Sequence, residues 1–400
     1  MDKAGIRKLP KTDLHVHLDG SLRLSTLIEL ARKYKISLPS YTQEGLSRMV
    51  FKENYASLAE YLKGFAFTAA VMQTKESLER VAYELAMDSF DEGIRYIEPR
   101  FAPQLHVNPD LTIEGVMKAV ASGLERAKKE INSKKAIKDG KEPSFEYGII
   151  GIALRMFNEH FSSYYKTLMS AHRFAPFEEI SALASLDLAR ALVAIRDKTG
   201  IQITGIDLAG EEEGYPAETH YEAYRYAHKN FMHKTVHAGE AFGPPSIFQA
   251  ITDTYADRIG HGVNIFRHDL INLPTEAERK HYTEGLAQFI AERRITIEVC
   301  LTSNLQTNPE IRTLKDHPFR KMFDAKLSTT FCTDNRLVSN TTVTDEILKA
   351  VEAFKIPPER LRDIIIYGFK RSFHPGSYLE KRKYVRKVID YYDTVANELV

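Results

Sequence analysis

Eight short apolar runs punctuate the chain, and longer amphipathic stretches separate them. The runs read DLHVHL, IRYIEPRFAP, YGIIGIAL, ITGIDLAG, KTVHAGE, RIGHGVN, ITIEVCLTSN and LSTTFCTD. Between them, stretches such as LRLSTLIELARKY, SLERVAYELAMDSFDEG, IEGVMKAVASGLERAKKEI and YTEGLAQFIAERR place apolar residues three and four apart, the period of a helix with one buried face. Gly93, Gly200 and Arg293 stand where helix C-termini favour a glycine or a cation. Strands and helices in alternation build a parallel sheet. Eight repetitions predict a closed (β/α)8 TIM barrel; a doubly wound open sheet is the other arrangement that alternation permits. Two segments exceed the repeat and are expected as helical insertions after strands 1 and 3: Ser37 to Thr74, with the helical pattern YASLAEYLKGFAFTAAV, and Phe157 to Ser185. The Lys-rich AKKEINSKKAIKDGKEPS reads as a solvated helix end and surface loop. With 43% hydrophobic residues in 400, the chain can fill one large core, and residues 1–400 are expected to form a single barrel domain.

The charge balance removes several classes of partner. Lys and Arg number 55 against 54 Asp and Glu, which leaves no basic footprint for nucleic acid and no acidic tail. Two cysteines, Cys300 and Cys332, make no disulfide framework and read as small buried apolar residues in a reducing compartment. The opening MDKAGIRKLPKTD holds no apolar stretch of signal-peptide type, and patches such as FAFTAAVM are too short to span a bilayer. The expectation is a cytoplasmic protein with neither a nucleic-acid nor a membrane partner.

The first run carries an unusual pair, His15 and His17. Side chains along a strand alternate faces, so both imidazoles point the same way, about 7 Å apart at roughly 3.3 Å per residue. Leu14, Val16 and Leu18 then face the helices. Such a pair can grip a metal, or it can be two neutral core histidines bonded to carbonyls. Other polar residues end other runs: His237 and Glu240 in HAGE, His261 in GHG, Asp334 and Asn335 in TDN. In a parallel barrel these ends share the face that holds active sites. His15, His17, His237 and Asp334 would offer three nitrogens and one oxygen, a set suited to Zn²⁺ with room for water. Two-metal barrel hydrolases bridge their ions with a modified lysine at the end of strand four. Here that strand ends DLAGEEE, so one ion per chain is expected.

From about Lys8 to past Ser339, the motifs HVHLDGS, DLAGEE, HAGE, GHG and TDN resemble the adenosine deaminase family in order and strand placement. The resemblance implies hydrolytic deamination of adenosine and 2′-deoxyadenosine to inosine and 2′-deoxyinosine, with a zinc-activated hydroxide attacking purine C6. The alternative is another 6-aminopurine: 6-amino-6-deoxyfutalosine, adenine or an adenine nucleotide. By resemblance, His15, His17, His237 and Asp334 hold zinc, Glu240 protonates purine N1, and His261 orients the hydroxide and assists its deprotonation. His17 also borders the substrate, Gly210 offers its amide to N3, and Asp19 lies near the ribose hydroxyls. Leu58, Tyr61, Leu62 and Phe65 match a lid or pocket wall, and Ser303 is a candidate partner for a ligand. Many family members have a second aspartate where this chain has Asn335. That position meets N7, an acceptor, and an asparagine amide donates at any pH whereas a carboxyl must first be protonated. The other route to base deamination uses a Cys-x-x-Cys zinc site, which two distant cysteines cannot build. A binding protein that has lost catalysis would not need Glu240 and His261 beside intact ligands. A barrel hydrolase of cyclic amides gives no reason for HAGE together with TDN.

Overall fold

β-branched and aromatic residues crowd the apolar runs, and these become the strands. The computed structural model describes residues 1–55 and 58–399, without the side chains of 58 and 59. Its barrel strands are β1 Lys11–His17, β2 Ile94–Phe101, β3 Ile149–Leu154, β4 Ile203–Ala209, β5 His233–Ala238, β6 Arg258–His261, β7 Thr296–Val299 and β8 Ser328–Phe331. Each pairs in parallel with the next. A two-residue strand, Glu146–Tyr147, pairs with β2 just before β3 begins. The ring closes through one bridge, Val16 to Asp334. There His17 N donates to Asp334 O at 2.7 Å, and Asp334 N donates to His15 O at 2.8 Å. The arrangement is the TIM-type barrel, not the open sheet, and the last hydrogen bonds of its closure belong to candidate site residues.

Both expected insertions are present. Helices Leu24–Tyr34, Gln43–Met49 and Leu58–Val71 precede the Lys75–Asp91 helix that leads into β2. After β3, Ser163–Ala171 comes before the long helix Phe177–Thr199. One run was divided differently from its sequence pattern. ITIEVCLTSN ends as a strand at Val299, and Leu301–Thr307 is a helix. The cause is tertiary: the Glu346 carboxylate accepts from Thr302 N at 3.1 Å and from its hydroxyl, satisfying a first-turn amide that local sequence leaves orphaned. Three further helices, Val343–Phe354, Pro358–Arg371 and Tyr378–Glu398, follow β8. Among the described residues, no helix is long and apolar enough to cross a membrane.

Leu14, Val16 and Leu18 are fully buried against the helical layer, as the strand period requires. The inside of the ring is different. Barrels of this kind usually fill their centre with branched aliphatic layers. Here Glu98, Arg100, Asp207, Arg258 and Glu298 occupy it, none more than 1% exposed.

Candidate active site

The C-terminal rim gathers the expected residues. His15 and His17 come from β1, His237 from β5 and His261 from the last position of β6, and Asp334 lies just beyond β8; all five are buried. One ligand atom each from His15, His237, His261 and Asp334 lies within 4.8 Å of the others. His17 joins them, its Nε2 3.2 Å from His237 Nε2 and 3.2 Å from Asp334 Oδ1. His15 Nε2 is 3.4 Å from the same oxygen. That quartet contains His261 where the sequence expectation has His17, while all five side chains converge on one centre. His261 and Asp334 adopt left-handed backbone, φ 65° and 59°. Such conformations cost non-glycine residues about 1–3 kcal/mol each and persist where surrounding structure enforces them. At Asp334 the enforcing structure is barrel closure.

Charged residues inside the barrel aim the histidines. His15 Nδ1 donates to Glu298 Oε2 at 2.8 Å, and His237 Nδ1 donates to an Asp207 oxygen at 3.1 Å. Each Nε2 lone pair is thereby turned toward the centre, the usual arrangement behind a metal-binding histidine. Arg100 bridges the two carboxylates, donating to Asp207 Oδ2 and Glu298 Oε2 at 2.9 Å each. Arg258 donates to Glu298 Oε1 at 2.6 Å and pairs with Glu98. Burial opposes charge on Asp207, but His237 and Arg100 outweigh it and hold the carboxyl well below its usual range. Burial opposes charge on Glu298 too, and Arg100 and Arg258 hold it ionised. Asp334 is kept ionised against its burial by His15 and His17, and Ser303 Oγ donates to its Oδ2 at 2.6 Å. Ser303 was a candidate partner from sequence; it acts from the Leu301–Thr307 helix instead of a strand end.

These donors fit a dication. Among the described residues His15 Nε2 has no hydrogen-bond partner although it is fully buried. His237, whose Nδ1 proton goes to Asp207, also turns its Nε2 lone pair to this centre, 3.2 Å from His17 Nε2. Glu98, Asp207, Glu298 and Asp334 also bring four carboxylates against the two guanidiniums of Arg100 and Arg258. A divalent cation balances that excess and satisfies the orphaned nitrogen.

Glu240 stands at the edge of this cluster. Its Oε2 is 3.6 Å from His261 Nε2, and its Oε1 accepts from Thr307 Oγ1 at 3.1 Å. Burial, then the charges of Asp334 and Glu212, push its carboxyl up to about 8. Glu212 also builds the loop beneath it. Its carboxylate accepts from four consecutive amides, Gly239 at 2.7 Å, Glu240 at 3.0 Å, Ala241 at 2.8 Å and Phe242 at 3.0 Å, and from the Ser246 hydroxyl. One side chain from the loop after β4 thus fixes the loop after β5.

The remaining candidates follow β1, β4 and β8 or lie on the Leu58–Val71 helix. Asp19, two residues past His17, is buried; among the described residues its Oδ1 has no partner, and burial, then the Asp334 charge, push it up to about 7 against its backbone hydrogen bonds. Gly210 has φ 103°, and a Cβ there would find no atom closer than 3.6 Å. Backbone conformation, not crowding, calls for glycine at that position. Asn335 Nδ2 donates to the Tyr61 hydroxyl at 2.7 Å, and Tyr61 shares a hydrogen bond with Ser339 Oγ at 2.9 Å. A Cβ on Gly20 would lie 1.9 Å from Asn335 Oδ1, so Gly20 makes room for that amide. Of the expected lid residues, Tyr61 is buried and acts through its hydroxyl, and the Phe65 ring centre lies 6.4 Å from that of His17. Leu62 is 43% exposed, and the Leu58 side chain falls outside the described residues.

Sequence reasoning missed Glu98, Arg100, Asp207, Arg258 and Glu298. Their signal was present: charged residues inside otherwise apolar strands, with Glu98 and Arg100 at the two-residue spacing of one face. Glu212 lies within the DLAGEE motif but was given no role there, because its partners at 239–242 meet it only in the fold.

A family model described as adenosine deaminase matches residues 10–391. An adenosine deaminase of Mycolicibacterium vanbaalenii is 36% identical over 370 residues, which cover 92% of this chain and 91% of that protein. Among solved structures, an adenine deaminase from Arthrobacter aurescens superposes with TM-score 0.75 at 20% identity, covering 96% of this chain and 99% of that one. The N6-methyl-AMP deaminase of Arabidopsis thaliana gives TM-score 0.72 at 23% identity, over 97% and 98% of the two chains. At these identities the structural likeness speaks for the barrel alone.

Proposed function

This chain belongs to the adenosine deaminase family, and from that premise we propose that it hydrolyses adenosine and 2′-deoxyadenosine to inosine and 2′-deoxyinosine, releasing ammonia. The observation that carries the reading is the raised, half-buried carboxyl of Glu240 beside a buried cluster of histidines and Asp334. Displacing an amine from C6 requires the ring to accept electrons as water adds. A glutamic acid that keeps its proton at neutral pH can donate it to N1 and draw charge away from C6. Zinc held by His15, His17, His237 and Asp334, one ion per chain, would supply a Lewis acid able to lower the pKa of water from about 15.7 toward 7. His261 orients the water for attack on one face of the ring. Gly210 N donates to N3 and Asn335 Nδ2 to N7, which fixes the purine with C6 over the cluster.

Asp19 argues for a nucleoside. A buried carboxyl with an oxygen that has no partner among the described residues is a fitting acceptor for ribose hydroxyls and has no task on free adenine. Arg336, the cation next to Asn335, is already paired with buried Glu92 and is not free to read a nucleotide. A panel of adenosine, 2′-deoxyadenosine, adenine, AMP and 6-amino-6-deoxyfutalosine, followed by ultraviolet absorbance and ammonia release, tests the reading. The two adenine nucleosides should give the highest kcat/KM. Preference for adenine or AMP would move the chain to another substrate within the family.

A further inference from the structure

Three histidines of the site, His15, His237 and His261, differ in what stands behind them at Nδ1. His15 and His237 have carboxylates at Nδ1 and donate to them. His261 has an amide there: Asn304 Nδ2 lies 2.9 Å from His261 Nδ1. The other end of that amide, Asn304 Oδ1, is 3.1 Å from His317 Nε2. His317 Nδ1 in turn receives the backbone N–H of Phe319 at 3.0 Å. Asn304 and His317 are 0% and 2% exposed, so water does not compete for these bonds.

Only one proton arrangement satisfies the chain. A backbone N–H always donates, so His317 Nδ1 must accept and its proton must sit on Nε2. That Nε2–H needs an acceptor, which turns Asn304 Oδ1 toward His317 and Asn304 Nδ2 toward His261. The amide N–H then donates to His261 Nδ1, and the His261 proton must lie on Nε2, facing the reaction centre. An imidazolium at His261, or the opposite tautomer, would set N–H against N–H. We propose that Asn304 and His317 are positioning residues that hold His261 as its Nε2–H tautomer, so that it presents a hydrogen-bond donor to the attacking water or the developing oxygen at C6, and not a lone pair to a metal. This separates His261 from the metal-binding histidines although all lie in one cluster. It narrows the role of His261 to orienting and donating, in place of the help with deprotonation that the family resemblance implies, and rests on the function proposed above for its kinetic consequence, but not for the tautomer itself.

Nitrogen-15 NMR of the metal-loaded enzyme, labelled at histidine, reads the tautomer directly. The His261 signals are identified by their loss in His261→Gln. The wild type should show protonated Nε2 and unprotonated Nδ1 at His261. Asn304→Asp, nearly the same shape, replaces the amide donor with an acceptor and should move the proton to Nδ1. With the wrong tautomer enforced, kcat should fall by about 10²-fold or more while KM changes little. His317→Gln keeps a donor near the Nε2 position and should retain both the tautomer and most of kcat. His317→Leu releases the amide and should mix the tautomers, with kcat down roughly 10- to 100-fold. A wild-type His261 protonated at Nδ1, or metal-bound at Nε2, overturns the proposal. So does an Asn304→Asp enzyme with unchanged tautomer and kcat, or equal behaviour of the two His317 variants. Lack of turnover on adenosine with the tautomer as stated would instead count against the substrate reading alone.

Discussion

Glu240 occupies a position where local environment sets its chemistry. Its carboxyl sits between a buried histidine and the Thr307 hydroxyl, with two other carboxylates nearby. Burial and the two carboxylates outweigh the Thr307 hydroxyl and His15 and favour the protonated acid over the anion, which is what a donor to a ring nitrogen needs. Glutamine in its place keeps the shape and a hydrogen-bond donor but has no proton to give. Glu240→Gln should therefore bind metal like the wild type and lose roughly 10²- to 10⁴-fold in kcat, measured by steady-state kinetics alongside metal analysis. Full activity in that variant would remove Glu240 from the chemistry.

At the scale of elements, the site depends on loops that hold one another. The Glu212 carboxylate collects the amides of residues 239–242 into a fixed turn, so the position of Glu240 is decided from the neighbouring strand's loop. Glu212→Ala should leave the barrel folded, speed hydrogen exchange at those four amides and lower kcat/KM by about 10²-fold, since a displacement of about 1 Å at a reacting group costs that much. Unchanged exchange would mean the turn holds without it. The same dependence explains what was legible in the chain. His15, His17, His237, His261 and Asp334 could be found because each ends an apolar run, and a parallel barrel brings such ends together. Leu301–Thr307 could not, because its first turn is satisfied by Glu346, more than forty residues away. Tyr61 looked like one apolar residue among several in a helical stripe; only the fold brings its hydroxyl to Asn335.

Across the whole molecule, the centre of the barrel serves alignment more than cohesion. Arg100 and Arg258 are fully buried among Glu98, Asp207 and Glu298, and two of these acids fix the imidazoles of His15 and His237. Buried ion pairs contribute little net stability, yet removing one partner strands a charge in low dielectric. Arg258→Met should thus lower unfolding free energy by about 3–5 kcal/mol, read from the denaturant midpoint. A shift within the range of surface substitutions, about 0.5 kcal/mol, would show that the network is dispensable. Barrel closure adds a second link between fold and site, because Asp334 supplies both the closing bridge and a carboxylate to the cluster. The most direct test of the account is the metal content of active enzyme, with His237→Ala as control. It predicts about one zinc per chain in the wild type and loss of both zinc and turnover in the variant; two tightly held ions, or full activity with none, would contradict it.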